Sequence, residues 1–446
     1  MSFRSNIATH VGRLSRWALT KFTGGGSSLP GKLALTIDPD ILTTLGENYD
    51  VAIITGTNGK TLTTALSVYA LNEAYPHVLT NPTGSNMQQG IVSTFLAAPR
   101  LEKNKKGIAV LEVDEGSLKH VVKYVQPKVF VHTNVFRDQM DRYGEIYTIY
   151  KLMADAAKEV PEATVISNAD SPILNSIDLP NPRLYFGFED QMDGNVVPHH
   201  NTDGILCPKC DHVLKYHTLT YANQGKFYCE NCDFKRPELD YKVTSLDDLN
   251  ITDSTFTIND YQFQIPVAGM YNIYNALAAY SLGRFFDLSP EQIHDGFEKA
   301  ERVFGRQEIL DIEGKQVLIN LVKNPVGLNQ VIDLVGLDKD PSTFIAILNN
   351  QYADGTDVSW IWDGDFEKMS DFNIQSVYTA GMRKEDMTKR LEVAELFDGD
   401  IQELNSVEEV VQATREAKTD SVHIFATYTA MLDLRKELIQ AGYITK

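Results

Sequence analysis

Long apolar runs are missing from this 446-residue sequence. No segment approaches the roughly 18 uninterrupted apolar residues that a membrane-spanning helix needs, and charges interrupt residues 1–22, so we expect neither a membrane span nor a secretory signal. Positive charge is scarce too, because 41 Lys and Arg stand against 60 Asp and Glu, a formal charge of −19. Nucleic-acid backbones select for a basic surface, so this balance argues against a general nucleic-acid binder. The length allows two or three globular domains.

Cysteine is also scarce, and its placement is informative. The four cysteines form two C-x-x-C pairs, Cys207/Cys210 and Cys229/Cys232, separated by 18 residues. Two such pairs can bring four thiolates to one tetrahedral Zn²⁺, and a site with all four positions filled is structural. Two disulfides are the alternative, which a chain without an export signal disfavours. The sequence therefore predicts a structural zinc ribbon with a short hairpin, inserted at about residues 200–238.

The positive charge that is present gathers at the N-terminus. Five cations precede the first acid, Asp38: Arg4, Arg13, Arg16, Lys21 and Lys32. A stripe of apolar residues recurs at helical spacing in the same segment: Phe3, Ile7, Val11, Leu14, Trp17 and Phe22. A basic amphipathic helix can lie on an anionic membrane surface, or it can pack its apolar face on its own protein, which we favour. Residues 1–47 are predicted to form this helix and a linker.

The stretch "AIITGTNGKTLTT" predicts a strand, a tight loop and a helix. The generic phosphate-binding loop would place a glycine at Ile54, so that pattern fails by one residue. Gly56 and Gly59 can still provide the backbone freedom that a phosphate cradle needs. Lys60 would then reach the phosphates and Thr61 would bind Mg²⁺. The alternative is a glycine-bearing turn without a ligand.

Strands and helices alternate through most of the chain, and several apolar strands run straight into polar residues. This arrangement favours a mostly parallel sheet with functional groups at the carboxyl ends of its strands. The predicted fold class is α/β, with a P-loop central domain over residues 48–303 that carries the inserted ribbon. A smaller α/β domain is predicted over residues 304–446.

Five segments occur in an order that resembles the Mur ligase superfamily, which includes folylpolyglutamate synthetase and the ATP-dependent peptidoglycan ligases. They are "GTNGKT", "LEVDEG", "TNVFRDQMDRYGE", "GMYNIYNALAAYSL" and "FGRQE". The first is similar to that superfamily's phosphate loop, which also lacks the outer glycine. The resemblance implies ATP as cofactor, held by Gly56, Thr57, Asn58, Gly59, Lys60, Thr61, Asn272, Asn275 and Asn320.

The same resemblance assigns the groups that act on the phosphates. It implies that Glu112 holds Mg²⁺ together with Thr61, that Asp114 or Glu115 can share this role, and that Arg306 faces the phosphates.

Three positions bear on how far this pattern carries over. Gln139 stands where the superfamily has a metal-binding His, and Asn320 stands where it has an aspartate at the ribose. Lys151 is a candidate for the lysine that superfamily members carbamylate.

Within the superfamily, the ribbon and the segment "NNQYADGTDVSWIWD" resemble the ligase-like subunits of lipid II isoglutaminyl synthases. The resemblance implies ATP-dependent amidation of the D-glutamate α-carboxylate of the lipid II stem peptide through an acyl phosphate. Ammonia would come from a glutaminase partner of the GatD type in a heterodimer. Asp354 or Asp357 would complete the partner's Cys-His pair, and the alternative for each is a turn-capping side chain. The substrate implies a cytoplasmic location at the inner membrane face.

Two other functions stay open at this point. One is an ATP-dependent ligase of the folylpolyglutamate type, which would add an amino acid instead of ammonia. The other is a nucleotide-binding scaffold for a glutaminase, an alternative that Gln139 and Asn320 keep open.

Overall fold

The computed structural model describes residues 2–23, 28–81, 85–99, 101, 105–137, 146–189, 204–301 and 307–444. Within these ranges the chain forms two helix-flanked sheets and a separate two-stranded hairpin. Neighbouring strands are parallel in most pairs of both sheets. The predicted α/β class, with mostly parallel sheets and a C-terminal α/β part, is confirmed.

The larger sheet has nine strands in the order β11-β10-β9-β6-β5-β4-β1-β3-β2. Its strands are β1 (Tyr49–Thr55), β2 (Leu79–Thr80), β3 (Gly107–Glu112), β4 (Val129–His132), β5 (Thr164–Asn168), β6 (Arg183–Phe188), β9 (Tyr241–Leu249), β10 (Ser254–Ile258) and β11 (Tyr261–Ile265). Strand β1 pairs in parallel with β3 on one side and β4 on the other, so the strand order reverses there. Parallel α/β sheets bind ligands beyond the carboxyl ends of strands at such a switch point.

Helices cover both faces of this sheet. They are α1 (Phe3–Thr23), α2 (Leu29–Ile37), α3 (Ile41–Gly46), α4 (Lys60–Asn72), α5 (Gln88–Ala97), α6 (Leu118–Val122), α7 (Ile146–Lys158), α8 (Met270–Phe285) and α9 (Pro290–Glu298). Helix α8 is buried at every position from Asn272 to Gly283. A helix that is apolar on all sides belongs in a core, so α8 can fix the polar side chains of its first turns rigidly against the sheet.

The second sheet has the order β12-β13-β17-β14-β15-β16. Its strands are β12 (Glu308–Ile312), β13 (Lys315–Leu321), β14 (Ser342–Ile347), β15 (Ile374–Ala380), β16 (Gln402–Glu403) and β17 (Ser421–Ala426), and its helices are α10 (Pro325–Val335), α11 (Lys384–Val393), α12 (Val407–Glu416) and α13 (Tyr428–Gln440). Asn324 caps α10, with its side-chain oxygen accepting a hydrogen bond from the Gly327 amide at 2.8 Å. Pro325 occupies the first turn, where a missing N–H costs nothing.

The hairpin consists of β7 (Lys215–Tyr221) and β8 (Gln224–Tyr228), between β6 and β9 in the chain. It carries the predicted cysteine pairs at its base. The hairpin that the sequence predicted between these pairs is present, at the predicted place inside the central part of the chain.

The N-terminal helix is present, but its orientation differs from the one we favoured. Small side chains of α1, among them Ala8 and Gly12, are buried, whereas Phe3, Ile7, Val11, Leu14 and Trp17 are exposed. A Cβ on Gly12 would lie 2.5 Å from Leu96 of α5, so small residues are what allow this close approach. The expectation that the apolar stripe packs on its own protein is therefore wrong for these five residues, and the side chain of Phe22 lies outside the described ones.

No helix among the described residues combines the length and the apolar character that crossing a membrane requires.

Candidate nucleotide site and cysteine cluster

The loop between β1 and α4 has the backbone shape of a phosphate cradle. Gly56 has φ +136° and Gly59 has φ +83°, conformations that L side chains rarely adopt. A Cβ on Gly59 would lie 1.9 Å from Oδ1 of Asn275, so glycine is required by contact as well as by φ. Helix α4 begins at Lys60, which places the positive end of its dipole at this loop.

Residues that follow β4 hold the loop in place. The amide of Asn58 donates to Oδ1 of Asn134 at 2.8 Å, and the Asn134 side-chain amide returns a bond to the Asn58 carbonyl at 3.0 Å. The Thr57 amide donates to the Asn134 carbonyl at 3.0 Å. Thr133 adds a hydroxyl bond to the Asn58 carbonyl at 2.9 Å. This network fixes the loop before any nucleotide arrives, which reduces the ordering cost of binding.

Lys60 lies between the loop and the acidic segment after β3. Its Nζ donates to the Gly56 carbonyl at 2.5 Å and is 3.4 Å from Glu115, and both side chains are largely buried. Glu112 pairs with Ile54 across the β1–β3 register, so it stands beside the loop. Its Oε1 accepts from Asn86 at 3.4 Å. Lys60, Glu112 and Glu115 thus bring one ammonium and two carboxylates to the switch point, a set suited to a phosphate and its Mg²⁺.

A cleft between the two sheets opens on this loop. The volume of this cleft is about 680 Å³ when the part that is open to solvent is counted. Its walls come from the loop, from the segment after β4, from the hairpin, from α8, from the end of β13 and from α10: Asn58, Gly59, Asn134, Phe136, Tyr221, Tyr271, Asn275, Asn320, Leu321, Lys323, Val326, Gly327, Gln330 and Val331. Apolar and aromatic side chains with a few amide groups are the lining that a nucleobase requires.

Asn320 of β13 lines this cleft, and Asn324 follows β13 as the N-cap of α10. Asn320 is buried, and among the described residues its side-chain nitrogen has no hydrogen-bond partner. A buried polar group without a partner is costly, so a ligand in the cleft is the natural acceptor. The Asn324 side-chain amide donates to Oδ1 of Asn58 at 3.2 Å and so joins the second sheet to the loop.

Asn272 and Asn275 lie in the first turns of α8. The Asn272 side-chain amide donates to the Ala268 carbonyl at 2.7 Å, and its Oδ1 accepts from the Asn275 side-chain amide at 3.2 Å. Thr63 of α4 donates to Oδ1 of Asn275 at 3.4 Å. Asn275 thus touches both the loop and the cleft, whereas Asn272 is buried behind it.

His132 ends β4, next to Thr55 of β1. It is fully buried, and among the described residues neither ring nitrogen has a hydrogen-bond partner. Burial, with a smaller effect of the Arg183 cation, lowers the pKa of His132 to about 3. The imidazole is therefore neutral at physiological pH and packs as part of the core beside the sheet.

Both candidate aspartates after β14 cap backbone amides. Asp354 is buried, and its carboxylate accepts from the Thr429 amide at 2.7 Å and from the Thr429 hydroxyl at 2.6 Å. Asp357 is exposed, and it accepts from the Ser359 amide at 2.8 Å. Bonds from the Ser359 amide and hydroxyl lower the pKa of Asp357. Both carboxylates are therefore oriented by their own chain.

The four cysteines form one cluster at the base of the hairpin. All four sulfur atoms lie within 4.8 Å of one another. Cys207 and Cys232 are separated by 3.6 Å between sulfurs, and Cys210 and Cys229 by 3.5 Å. A disulfide needs about 2.05 Å, so the cysteines are free thiols here.

Four of the sequence-predicted nucleotide residues line the cleft, and four more lie in the adjoining loop and the start of α4; the first four are Asn58, Gly59, Asn275 and Asn320, and the others are Gly56, Thr57, Lys60 and Thr61. Arg306 and Gln139 lie outside the described residues, and Lys151 is exposed on α7. Sequence reasoning missed Asn134, Asn324 and Tyr221. Asn324 had a signal in the Asn-Pro pair, which is typical of a helix start.

Two family models match this chain. The Mur ligase middle domain matches residues 54–283, and the MurT ligase C-terminal domain matches residues 321–431. Over 446 residues the chain is 46% identical to the subunit MurT of lipid II isoglutaminyl synthase (glutamine-hydrolyzing) from Streptococcus pneumoniae, covering 100% of this chain and 99% of that protein. The chain belongs to the MurT family. The subunit MurT from Staphylococcus aureus is 35% identical to this MurT-family chain over 395 residues, 88% of this chain and 89% of that protein.

Solved structures agree on the fold of this MurT-family chain. A pseudomurein peptide ligase type C from Methanothermus fervidus superposes with a TM-score of 0.66 at 20% identity, over 91% of this chain and 81% of that chain. The MurF ligase from Thermotoga maritima in complex with ADP gives a TM-score of 0.63 at 15% identity, over 92% and 85%. At these identities the likeness shows a Mur ligase-like α/β fold. The resemblance that the sequence suggested is confirmed.

Proposed function

We propose that this chain is the ATP-dependent ligase subunit of a lipid II amidotransferase. Its substrate would be the α-carboxylate of the D-glutamate in the stem peptide, which it converts to D-isoglutamine. The observation that carries the proposal is the preformed loop of Lys60, set beside Glu112 and Glu115 at a two-sheet cleft. The identity of 46% over the whole chain to a named lipid II isoglutaminyl synthase subunit supports the substrate.

The reaction has two covalent steps. A carboxylate oxygen attacks the γ-phosphorus of ATP, the bond from that phosphorus to the bridging oxygen of ADP breaks, and an acyl phosphate forms. Ammonia then attacks the acyl carbon, the carbon–oxygen bond to phosphate breaks, and the nitrogen loses a proton. Phosphoryl transfer depends mainly on positioning and charge neutralisation, and these are the two tasks that we assign to Lys60 and the loop amides.

Further ligands follow from the residues at the cleft. Asn275 and Asn320 would contact the base and ribose, with Asn272 supporting Asn275 and Arg306 at the phosphates. Thr61 and Glu112 would hold Mg²⁺, which neutralises phosphate charge when bound. A carboxylate and a hydroxyl are oxygen ligands of the kind that Mg²⁺ selects. In this proposal, residues 1–47 form the N-terminal segment, residues 48–303 form the ATP-binding domain and residues 304–446 form the C-terminal domain.

The cysteine cluster fits a structural Zn²⁺. Zinc–sulfur bonds of about 2.3 Å in a tetrahedron require sulfur–sulfur edges of roughly 3.8 Å, close to the observed 3.5 and 3.6 Å. Elemental analysis of the purified chain should give one zinc atom per chain, and Cys207→Ser should lower that ratio. Iron in place of zinc, or no metal at all, would contradict the zinc assignment.

The ammonia source would be a glutaminase subunit of the GatD type, in a heterodimer at the cytoplasmic face of the membrane. Asp354 or Asp357 would orient the histidine of its Cys-His pair. Stability distinguishes the two candidates. Asp354→Asn places an amide group where the carboxylate accepts from Thr429, which should cost about 1–3 kcal/mol of stability. Asp357 is exposed, so Asp357→Asn should cost less. Glutaminase activity of the complex should fall with one of the two variants, and the melting temperature identifies a loss that is only structural. Unchanged glutamine hydrolysis in both variants would contradict this role.

Mass spectrometry of lipid II tests the reaction itself. The chain is incubated with lipid II, ATP and Mg²⁺, with ammonium and free amino acids offered together. Conversion of one carboxyl to a carboxamide is the expected result. Addition of a whole amino-acid residue would establish a folylpolyglutamate-type ligase instead, and unchanged lipid II would favour a scaffold.

Lys60→Ala separates catalysis from scaffolding. Amidation should be lost, because a cation at the transferring phosphoryl group contributes several kcal/mol to transition-state stabilisation. The matched control is Lys106→Ala, an exposed lysine that pairs with Asp50 at the other end of β1 and should leave the rate unchanged. Full amidation by Lys60→Ala would contradict the proposal.

A further inference from the structure

Helix α1 is built with its large apolar side chains facing outward. Phe3 is 83% exposed, Leu14 64% and Trp17 57%, and Ile7 and Val11 lie on the same side. The opposite side carries small residues, including Ala8 and Gly12, and packs on the protein. A soluble helix normally has the reverse arrangement, since burying a Leu or Phe side chain stabilises by about 1.5–3 kcal/mol.

The charge of this segment is opposite to that of the rest of the chain. Residues 1–37 carry five cations and no acid, and the total is −19, so residues 38–446 carry −24. Arg4, Arg13, Arg16, Lys21 and Lys32 are all exposed. The Lys21 ammonium lies 5.2 Å from the Trp17 ring, which places a cation beside the apolar stripe.

We propose that the outer face of α1 docks on the surface of an anionic lipid bilayer. Trp, Phe and Leu on one face with Lys and Arg around them is the pattern of helices that lie in the membrane interface. Cations near the stripe match anionic headgroups, while the acidic remainder of the chain is repelled and faces away. Helix α1 does not combine the length and the apolar character that crossing a bilayer requires, so the contact is peripheral.

Co-sedimentation of the full chain with vesicles tests this surface. The chain should bind vesicles of phosphatidylglycerol and phosphatidylethanolamine, bind vesicles of phosphatidylcholine alone more weakly, and dissociate as salt rises. Leu14→Ser combined with Trp17→Ser should reduce the affinity at least about tenfold. The control Val393→Ser removes an apolar side chain that is 53% exposed on α11 and should change nothing.

Failure of this inference is distinguishable from failure of the proposed reaction. Absence of vesicle binding, or equal binding by the double variant, would overturn the membrane surface. The double variant could instead differ from the unmodified chain in the mass measured by light scattering while binding vesicles equally well. That result would indicate a protein partner on the apolar stripe and would overturn the membrane surface as well. The double variant should still amidate a water-soluble lipid II analogue with a short lipid, because the enzyme can reach this analogue without contacting a membrane.

A second inference concerns the hairpin, and it rests on the ATP site of the proposed function. Tyr221, the last residue of β7, is buried and forms part of the cleft wall together with Gly59 and Asn275. Its ring lies 5.9 Å from the Phe136 ring and 5.5 Å from the Tyr274 ring, between centroids. The inserted hairpin therefore supplies an aromatic surface to the cleft.

A buried ion pair fixes the hairpin to the site. Asp170, which follows β5, is completely buried and contacts Arg236 at 2.9 Å. Arg236 follows the hairpin, and its backbone amide donates to the Phe227 carbonyl of β8 at 3.0 Å. The same carboxylate accepts from the Tyr274 hydroxyl at 2.7 Å, one residue before Asn275 on α8. The Asp170 carbonyl accepts from the Gly225 amide of β8 at 2.9 Å. One residue thus connects the sheet, the hairpin and the helix of the nucleotide site.

We infer that Tyr221 contacts the nucleotide and that the hairpin positions it. An aromatic face contributes about 1–3 kcal/mol to binding a base. Because Asp170 links Arg236 and Gly225 to Tyr274, a shift of the hairpin would move Tyr221 and α8 together. The four-cysteine cluster at the base of the hairpin would then act on ATP affinity through this connection.

Calorimetric titration with a non-hydrolysable ATP analogue and Mg²⁺ tests the inference without turnover. Tyr221→Ala should raise Kd about tenfold or more, and Tyr221→Phe should leave it nearly unchanged. Tyr228→Ala, which removes a hairpin ring stacked on His217 at 4.4 Å, is the matched control. Asp170→Asn should weaken binding as well, through displacement of the hairpin.

Two results would overturn this second inference. One is an unchanged Kd for Tyr221→Ala, and the other is an equal loss in Tyr228→Ala, which would indicate general damage to the hairpin. Circular dichroism melting curves identify variants that do not fold. Amidation of lipid II by the unmodified chain decides the proposed function separately, whatever the Tyr221 variants do.

Discussion

Gly59 allows a backbone effect and a contact effect to be separated. At φ +83° any L residue is strained, and a Cβ there would lie 1.9 Å from Oδ1 of Asn275. Gly314 has nearly the same φ, +84°, in the hairpin between β12 and β13, but within the described structure no atom lies within 4 Å of an added Cβ. Gly314→Ala therefore carries the strain alone.

The expected magnitudes follow from these two environments. The left-handed conformation costs an alanine about 1–2 kcal/mol in either variant. In Gly59→Ala the Asn275 side chain must also move, and it loses the bonds at 3.2 Å to Asn272 and 3.4 Å to Thr63. Each such loss is worth about 1 kcal/mol, so the loop and the first turn of α8 shift together.

The assay is calorimetric binding of a non-hydrolysable ATP analogue with Mg²⁺. Gly59→Ala should raise Kd at least about tenfold, which corresponds to about 1.4 kcal/mol, and should abolish amidation. Gly314→Ala should bind with unchanged affinity and lose only a little thermal stability. Tight binding by Gly59→Ala would refute the assignment of this loop, and an equal loss in both variants would refute the role of the Asn275 contact.

Three further predictions concern stability. The pKa of His132 falls to about 3 on folding, so between about pH 6.5 and pH 3 only the unfolded chain binds a proton at this residue. The free energy of unfolding, measured in urea, should therefore fall by about 1.4 kcal/mol per pH unit over this interval. His132→Gln should flatten this slope. Burial opposes ionisation of Asp338, but hydrogen bonds from His423 and others outweigh it and lower its pKa to about 2. The stabilisation from Asp338 is complete above about pH 4 and is lost as pH falls to about 2, so the melting-temperature deficit of Asp338→Asn should shrink over that interval, and a constant deficit would contradict this. Gly31→Ala would place the new Cβ 1.9 Å from the backbone oxygen of Gln89. This overpacking should lower the free energy of unfolding by about 1–3 kcal/mol, so the melting temperature of the variant should fall by several degrees.

Sequence patterns predicted the elements and the loop better than the contacts between distant segments. The strand before "GTNGKT" and the buried helix from Met270 follow from apolar periodicity, which is local. Periodicity also found the stripe on α1, but it cannot tell which side of an amphipathic helix meets the protein, and small residues such as Gly12 took the inner side. Tyr221 reaches the cleft, and Asn324 reaches Asn58 of the loop, only through the placement of whole segments. The Asn-Pro pair indicates that a helix starts at Asn324, but no residue type or spacing indicates which distant segment it contacts.

The second sheet and α10 contribute directly to the proposed nucleotide site. Asn324 caps α10 with its side-chain oxygen and donates from its nitrogen to Asn58 of the loop, so the positive end of the α10 dipole is held at the cleft. Lys323 lines the same cleft from the preceding position. Phosphate charge would therefore be neutralised from both sheets, by Lys60 and α4 on one side and by Lys323 and α10 on the other. An ATP molecule that contacts both sides would hold the sheets together, so the state of the nucleotide and the position of the segment that carries Asp354 and Asp357 would be physically coupled.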